Sequence, residues 1–366
     1  MIRVPHYVAS ISPYVPGKPV EELERELGIK DSVKLASNEN PHGPSPKALR
    51  ALSGNALDTL NRYPDGGSYY LRQALAKKLD VSGDALIFGN GSNELLDIAV
   101  RTFMEPGEDA VMAWPSFVVY PMAVQAVGCN AIKVPLTEDF RHDLGAMADA
   151  ITERTRMVFI ANPNNPTGTI NTKAEFDSFM ERMPRDVIVV VDEAYFEYST
   201  DAHYADSMGH LRDGRNLIIL RTFSKVYGLA GLRIGYGITR TDMASELNKI
   251  REPFNTSSLA QAAALAALDD DEHIENSVRA NAAGKEYLYA ELDKMGIVYV
   301  PTHANFIFIL LGMLPGLDAG ALNNALLKRG VIIRPMGEKA VRVTIGTEKE
   351  NKAFIKALSE AMDEVE

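Results

Sequence analysis

The sequence predicts an α/β protein with a large domain around a mostly parallel sheet and a smaller α+β domain. Between residues 70 and 253, short apolar runs rich in β-branched residues alternate with amphipathic helical segments, which is typical of buried parallel strands. After Pro253 this alternation stops, and an alanine-rich helical segment precedes a second group of strands. The 366 residues, of which 46% are hydrophobic, are enough for both domains.

Changes in composition along the chain predict three parts. Residues 1–33 form an N-terminal arm, rich in proline and glycine, which leads into a short charged helix and joins the small domain. Residues 34–253 form the large domain. Residues 254–366 form the small C-terminal domain.

Hydrophobic periodicity predicts the individual elements in chain order. Helices are expected at 19–28, 69–79, 92–104, 258–268 and 272–294. The helix that begins at residue 92 is expected to be capped by the side chain of Ser92 or Asn93. Strands are expected at 85–88, 110–113, 157–161, 187–191 and 217–220 in the large domain, and at 297–300, 305–310, 331–334 and 341–345 in the small one.

Charge and composition exclude several classes of protein. The net charge of −11 and the absence of a basic run argue against nucleic acids and anionic membranes as partners. Cys129 is the only cysteine, and the seven histidines show no metal-ligand spacing, so we expect no intrachain disulfide and no metal site. The first residues lack the apolar stretch of a signal peptide, and we expect a cytoplasmic protein.

The segment 88–94, FGNGSNE, lies between a predicted strand and a helix. Backbone N–H groups and the helix dipole at such a junction can bind an anion, although an ordinary capped turn is equally compatible with the pattern. The segment matches neither GxGxxG nor GxxxxGK[ST], which counts against a dinucleotide-binding module.

Polar residues also follow two other predicted strands. The segment 162–168, NPNNPTG, is a rigid turn that presents asparagine side chains, or alternatively a purely structural Asx turn. Asp192 ends an apolar strand, where a buried carboxylate needs a partner. A metal ligand or a helix N-cap remains open for Asp192.

Lys225 is the most informative residue of the segment 221–237, RTFSKVYGLAGLRIGYG. It follows a predicted strand, two hydroxyls precede it, and Arg233 follows it. A lysine that is partly desolvated near other cations has a lowered pKa and can act as a nucleophile. An ordinary surface lysine is the alternative.

Pyridoxal phosphate is the cofactor that unites these features. It requires a lysine for its aldehyde, an acid at its pyridinium nitrogen, a donor at its phenolic oxygen, an aromatic ring against its face and a phosphate site. In the same order, the chain offers Lys225; Asp192; Asn165 with Tyr195; Phe117; and Gly91, Ser92, Asn93, Thr222, Ser224 and Arg233.

Motifs spread over nearly the whole chain carry a family resemblance. In order, they are PYVPGKP at 13–19, KLASNENP at 34–41, RYPD at 62–65, NNPTG at 164–168, DEAY at 192–195, SK at 224–225 and RVTIGT at 342–347. With this order and spacing, the chain resembles the fold-type I pyridoxal-phosphate aminotransferases, and among them the histidinol-phosphate aminotransferase family.

The resemblance implies further roles. Tyr63 would reach the cofactor phosphate of a neighbouring subunit, so the active unit would be a homodimer. The substrate would be bound by Tyr14, Asn38, Arg334 and Arg342. Phe117 stands where many members of the family carry tyrosine, which preserves ring stacking but loses a hydroxyl.

The implied reaction is transamination of L-histidinol phosphate with 2-oxoglutarate in histidine biosynthesis. It would give imidazole acetol phosphate and glutamate, with Lys225, Asp192 and Tyr195 as the catalytic residues. An aromatic amino acid aminotransferase and, less favoured, a threonine-phosphate decarboxylase are the alternatives. A DNA-binding regulator of the same fold would need a basic appended segment, which the arm does not provide.

Three of the residues near the site also fit structural roles. Arg334 could be a plain surface cation. Arg342 alternates with apolar neighbours, as an outward-facing strand residue would. For Tyr120 we expect core packing rather than a contact in the site.

Overall fold

The computed structural model describes residues 2–14, 17–53, 57–58, 60–312 and 318–363. Its strands are β1 (Val33–Lys34), β2 (Leu86–Gly89), β3 (Asp109–Trp114), β4 (Asn130–Pro135), β5 (Thr155–Ala161), β6 (Ile188–Asp192), β7 (Leu217–Thr222), β8 (Gly235–Thr239), β9 (Val298–Val300), β10 (Phe306–Leu310), β11 (Val331–Ile332), β12 (Arg334–Pro335) and β13 (Ala340–Thr344).

Helices connect and cover these strands. They are α1 (His6–Ala9), α2 (Val20–Leu27), α3 (Pro46–Leu52), α4 (Tyr69–Leu79), α5 (Ser92–Phe103), α6 (Val119–Ala126), α7 (Leu144–Asp149), α8 (Lys173–Arg182), α9 (Ser207–Arg212), α10 (Thr241–Ile250), α11 (Ser258–Ala267), α12 (Asp271–Lys294), α13 (Ala319–Lys328) and α14 (Glu348–Asp363). Among the described residues, no helix is both long and apolar enough to span a membrane.

A seven-stranded sheet in the order β2-β8-β7-β6-β5-β3-β4 forms the centre of the large domain. Adjacent strands are parallel in the part of the sheet ordered β7-β6-β5-β3-β4. Strand β8 is antiparallel to both of its neighbours, β7 and β2. The predicted α/β class with a mostly parallel sheet is therefore confirmed.

Residues alternate between the two faces of this sheet. In β6, Val189 and Val191 pack into one hydrophobic cluster with helices such as α8 and α11, while Ile188 and Val190 pack into a second cluster with α5 and α10. Because both faces of the central strands β3, β5, β6 and β7 are covered, these strands are largely apolar, and this is why the sequence reveals them.

Two strands of the large sheet were not predicted. In β4, only Val134 is buried, because this strand lies at the edge of the sheet and lacks a continuous apolar run. In β8, Gly235 and Gly237 suggest a turn in the sequence, whereas the structure places both in a buried strand. Glycine is required at residue 235, where a Cβ would lie 2.4 Å from the backbone nitrogen of Ser92.

The small domain contains an antiparallel sheet in the order β12-β13-β10-β9, and it packs with α12, α13 and α14 around its own core. The predicted strand 331–334 is two short strands. One of them, β11, pairs in parallel with β1, so that Val33 lies opposite Val331. Leu23 of α2 packs with Ile332 in the same region. These contacts support our proposal that the arm joins the small domain.

The packing of helix α11 indicates where the boundary between the two domains lies. Its buried alanines, including Ala260 and Ala264, belong to the hydrophobic cluster of the large sheet together with Ala48 of α3. We therefore propose that the large domain extends beyond residue 253 through α11, and that the small domain begins within α12. The predicted division at 253/254 divides this cluster, because an alanine-rich helix does not show in its sequence which sheet it covers.

The carboxyl ends of the central strands meet at one edge of the sheet. Ala161 at the end of β5 lies opposite Asp192 at the end of β6, and Asp192 lies opposite Leu220 near the end of β7. Open α/β sheets bind ligands beyond this edge. The fold therefore brings the polar segments that follow β5, β6 and β7 together.

Candidate active site

A cavity of about 500 Å³ lies beyond the carboxyl ends of the central strands. All predicted site residues except Tyr63 and Arg334 line it. These are Tyr14, Asn38, Gly91, Ser92, Asn93, Phe117, Asn165, Asp192, Tyr195, Thr222, Ser224, Lys225, Arg233 and Arg342. The remaining lining residues were not predicted and are Ser37, Val119, Tyr120, Met122, Ala161, Pro163 and Ala194.

Lys225 follows β7 and is partly buried, and its Nζ donates a hydrogen bond to the carbonyl of Ser37 at 3.1 Å. Burial lowers the pKa of this amine to about 7. The positive charges of Arg342 and Arg233 also lower this pKa, whereas the carboxylates of Glu39 and Asp192 raise it. An amine with this pKa is substantially neutral at physiological pH, so Lys225 can act as a nucleophile.

Asp192 is buried at the end of β6. Its Oδ1 accepts the N–H of Ala194 at 3.1 Å, and its Oδ2 accepts the hydroxyl of Tyr120 at 2.8 Å. Burial raises the pKa of Asp192 to about 6, which these two hydrogen bonds oppose. The expectation that Tyr120 only packs is wrong, because sequence alone does not show that α6 directs this hydroxyl at β6.

The junction between β2 and α5 forms the floor of one end of the cavity. Gly91, with φ of 75°, is the N-cap of α5, and no side chain caps the helix. The prediction of a Ser92 or Asn93 cap is therefore wrong. Both residues lie one position further along, within the first turn. The uncapped N–H groups and the helix dipole are able to bind an anion.

Arg233 lies against this junction. Its Nη1 lies 3.4 Å from the hydroxyl oxygen of Ser224, and its Nη2 lies 3.5 Å from the carbonyl oxygen of Asn90. A Cβ at Gly91 would lie 2.6 Å from Nη2 of Arg233, so only glycine lets the guanidinium approach the turn. Thr222 supplies a second hydroxyl, and its oxygen accepts a hydrogen bond from the backbone N–H of Ser224 at 3.1 Å.

Hydrogen bonds link four of the side chains that line the cavity. Arg342 donates from Nη1 to the Oδ1 of Asn165 at 2.6 Å. The amide nitrogen of Asn165 lies 3.5 Å from the hydroxyl of Tyr195, to which Asn38 also donates at 3.0 Å. Asn38 is buried with a positive φ of 56°, an uncommon conformation outside glycine. Arg342 is also buried, so it is not an outward-facing strand residue.

Arg334 does not line the cavity but lies beside it. Its Cα pairs with that of Arg342 across β12 and β13, and its guanidinium lies 5.2 Å from the ring centroid of Tyr14, which does line the cavity. Two arginines directly opposite each other on a sheet repel. The charge of Arg334 accordingly helps to lower the pKa of Arg342, after burial. An anion between the two would remove this repulsion.

Tyr63 lies outside the cavity of its own chain. Its side chain is 83% exposed, and its ring stacks on Phe254 with centroids 4.7 Å apart. The structure therefore does not bring Tyr63 together with the other predicted cofactor-binding residues of the same chain.

The residues of the cavity fit pyridoxal phosphate. The uncapped start of α5, with Arg233 and two hydroxyls, suits a phosphate, and the lowered pKa of Lys225 suits reaction with an aldehyde. Asp192 offers a buried carboxylate for a pyridinium nitrogen. No group of three or more histidines, cysteines or acidic residues in the described part of the chain could hold a metal ion.

Comparison with known proteins agrees with this geometry. The profile of the aminotransferase class I and II family matches residues 30–358. The chain is 52% identical to the histidinol-phosphate aminotransferase of Moorella thermoacetica, over 97% of this chain and 92% of that protein.

Solved structures show the same relationship. The histidinol-phosphate aminotransferase of Sinorhizobium meliloti in complex with pyridoxal-5'-phosphate superposes with a TM-score of 0.90 at 30% identity, and the match covers 100% of this chain and 99% of that one. The L-threonine-O-3-phosphate decarboxylase of Porphyromonas gingivalis has a TM-score of 0.79 at 24% identity, with 90% and 99% covered, and shares the fold. The chain therefore belongs to the class I and II aminotransferases and, within them, to the histidinol-phosphate aminotransferase family.

Proposed function

We propose that this chain is a pyridoxal-phosphate-dependent aminotransferase that converts L-histidinol phosphate and 2-oxoglutarate into imidazole acetol phosphate and glutamate, in cytoplasmic histidine biosynthesis. The relatives named above support the reaction class. The observation that carries the choice of substrate is the pairing of Arg334 with Arg342 beside the cavity that contains Lys225.

Different residues of the cavity would bind different parts of the cofactor. Ser92, Asn93 and the N–H groups of the first turn of α5 would bind the phosphate, together with Arg233 and the hydroxyls of Thr222 and Ser224. Asn165 and Tyr195 would donate to the phenolic oxygen, and Phe117 would pack against the ring face. When bound, the cofactor supplies an electron sink for the carbanion formed at the substrate α-carbon.

Lys225 and Asp192 have separate roles in the chemistry. Once the substrate amine has displaced it, Nζ of Lys225 would take the proton from the substrate α-carbon as a general base and would then deliver it, as a general acid, to C4′, the former aldehyde carbon of the cofactor. A pKa near 7 suits an amine that must both accept and donate a proton at neutral pH. The buried carboxylate of Asp192 would hold a proton on the ring nitrogen of the bound cofactor.

The substrate phosphate would lie between the two paired arginines. Guanidinium groups bind phosphate through several charge-assisted hydrogen bonds, whereas a planar carboxylate needs only one bidentate partner. We therefore propose that Arg342 contacts every substrate, and that Arg334 and the hydroxyl of Tyr14 contact mainly a phosphate. Arg334 then would not be a plain surface cation.

Replacing Arg334 with alanine should lower kcat/KM for histidinol phosphate by about tenfold to a hundredfold. This range corresponds to one lost charged hydrogen bond of roughly 1.5–3 kcal/mol. Activity toward phenylalanine or tyrosine should fall less, because these substrates carry no phosphate. Steady-state kinetics on both substrate classes measure the difference, and equal losses would show that Arg334 does not recognise the phosphate.

A paired rate comparison tests the proposed substrate. The unmutated enzyme should transaminate histidinol phosphate faster than phenylalanine or tyrosine at equal concentration, and it should consume 2-oxoglutarate as it does so. No turnover of histidinol phosphate would leave the aromatic amino acid aminotransferase as the better proposal. Release of carbon dioxide from threonine phosphate would favour the decarboxylase.

We propose that the active unit is a homodimer with sites shared between subunits. Several large apolar and aromatic side chains between residues 49 and 70, and Phe254, on which Tyr63 stacks, are exposed, which is typical of an interaction surface. They are Leu49, Leu57, Leu60, Tyr63, Tyr69, Tyr70 and Phe254. Because Tyr63 does not reach the cavity of its own chain, it is available to the site of a second copy.

Subunit mixing tests this role of Tyr63. The Lys225→Ala and Tyr63→Phe variants should each be weakly active or inactive alone, but active when mixed and allowed to exchange subunits. A mixed dimer then has one site with both defects and one with neither, so roughly a quarter of all sites are intact after random pairing. Mixtures no more active than the separate variants would mean that Tyr63 serves its own chain.

A further inference from the structure

Tyr120 of helix α6 contacts Asp192 at the end of strand β6, although the two residues are far apart in the chain. Its hydroxyl donates to Oδ2 of Asp192 at 2.8 Å, and only 1% of its side chain is exposed. The other oxygen of this carboxylate accepts the backbone N–H of Ala194. Asp192 is thus held from two directions, by its own loop and by helix α6.

The ring of Tyr120 is itself fixed. It stacks on Phe159 with centroids 5.0 Å apart and an interplanar angle of 12°, and it meets Phe117 edge to face at 5.5 Å. The backbone N–H of Tyr120 also bonds to the carbonyl of Phe117 at 3.1 Å. One short turn therefore positions both the aromatic ring proposed to pack on the cofactor and the hydroxyl that bonds to Asp192.

The hydroxyl of Tyr120 acts as a donor in this contact. Burial raises the pKa of Tyr120 well above its usual value, and the neighbouring carboxylate adds to the effect, so the phenol stays protonated. A hydrogen bond donated to a carboxylate stabilises its charged form, and this bond helps to lower the pKa of Asp192 against the effect of burial.

We propose that Tyr120 is a positioning residue for the transamination, whose hydroxyl orients the Asp192 carboxylate and limits its basicity toward the cofactor ring nitrogen. The inference rests on the proposed function, since it requires the cofactor in this cavity. A carboxylate without this hydrogen bond is more basic and draws the shared proton away from the ring nitrogen. With the cofactor bound, the ring would then withdraw electrons less strongly, and the nitrogen of Lys225 would keep its proton to higher pH.

The Tyr120→Phe variant of the loaded enzyme separates this role from packing. Phenylalanine keeps the stack on Phe159 and removes only the hydroxyl. We expect kcat to fall about tenfold, the size of one charged hydrogen bond at the low end of its range, with KM changed less than about twofold. In a pH titration without substrate, the transition of the visible cofactor band should move up by about one unit.

Tyr227→Phe is the matched control, because it removes a buried hydroxyl of the same domain from a residue outside the cavity. It should leave both kcat and the band transition unchanged. If Tyr120→Phe binds cofactor at full stoichiometry, melts like the unmutated enzyme and shows neither change, the inference is overturned.

A second variant keeps the proposal testable if Tyr120→Phe does not fold. Phe159→Leu keeps the Tyr120 hydroxyl but removes the ring on which it stacks, so the band transition should move in the same direction by a smaller amount. An unmoved transition in Phe159→Leu would count against the role of Tyr120. Failure of the proposed function looks different, because the unmutated protein would then fail to transaminate histidinol phosphate, and it would show no visible band if it did not bind the cofactor.

Discussion

Replacing Lys225 with alanine should abolish transamination while leaving the fold intact. Among the described residues, no other lysine lines the cavity, so the variant loses the nucleophile of a covalent mechanism rather than one contribution to it. We expect a loss of several orders of magnitude in kcat, on the order of 10⁴ or more, as for removal of a nucleophile in other enzymes. Steady-state kinetics with the thermal unfolding midpoint as a folding control measure this.

Chemical labelling identifies the lysine independently of activity. Borohydride reduction of the loaded enzyme followed by peptide mapping should place the cofactor on the peptide that contains Lys225. Lys77→Ala, on the exposed side of α4, is a suitable control and should retain both the label and the activity. A label on any lysine other than Lys225 would disprove the assignment.

Replacing Asp192 with alanine should lower kcat by about 150-fold to 5,000-fold. This range corresponds to roughly 3–5 kcal/mol, the cost of removing one partner from a buried ion pair, here between the carboxylate and the protonated ring nitrogen. The variant should still bind the cofactor, because the phosphate site and Lys225 are unchanged. Absorbance of the purified variant measures the bound cofactor, and steady-state kinetics measure kcat.

Two further variants sharpen the Asp192 test. Asp192→Asn removes the charge but keeps the shape, and should lose nearly as much activity as Asp192→Ala. Asp186→Asn neutralises an exposed carboxylate just before the same strand and should retain full activity. Turnover near that of the unmutated enzyme in Asp192→Ala would mean that the carboxylate is structural.

Local sequence was sufficient for much of the fold. The strands β3, β5, β6 and β7 are covered on both faces, so each appears as a run of apolar residues. Helix α4 was predicted with the bounds Tyr69–Leu79 that it has in the structure. These elements share one property, which is that burial or amphipathicity is visible in a few consecutive residues.

Elements whose environment depends on distant residues are harder to predict from the sequence. Strand β4 lacks a continuous apolar run because it lies at a sheet edge, and β8 contains glycines because Gly235 packs against the start of α5. Helix α11 was predicted in the small domain, and we propose that it belongs to the large one because its alanines pack in the cluster of the large sheet. In each case the neighbouring element, rather than the segment itself, determines the structural role.

The sequence by itself determined which chemical groups the protein possesses and the order in which they follow its strands, including Lys225 after β7 and Asp192 at the end of β6. Only the tertiary structure decided which of them meet. It placed the Tyr120 hydroxyl on Asp192, set Arg334 opposite Arg342 and kept Tyr63 out of its own cavity. The physical reason is that local periodicity records burial along one segment, whereas hydrogen bonds and charge pairs depend on distances between segments that are remote in the chain.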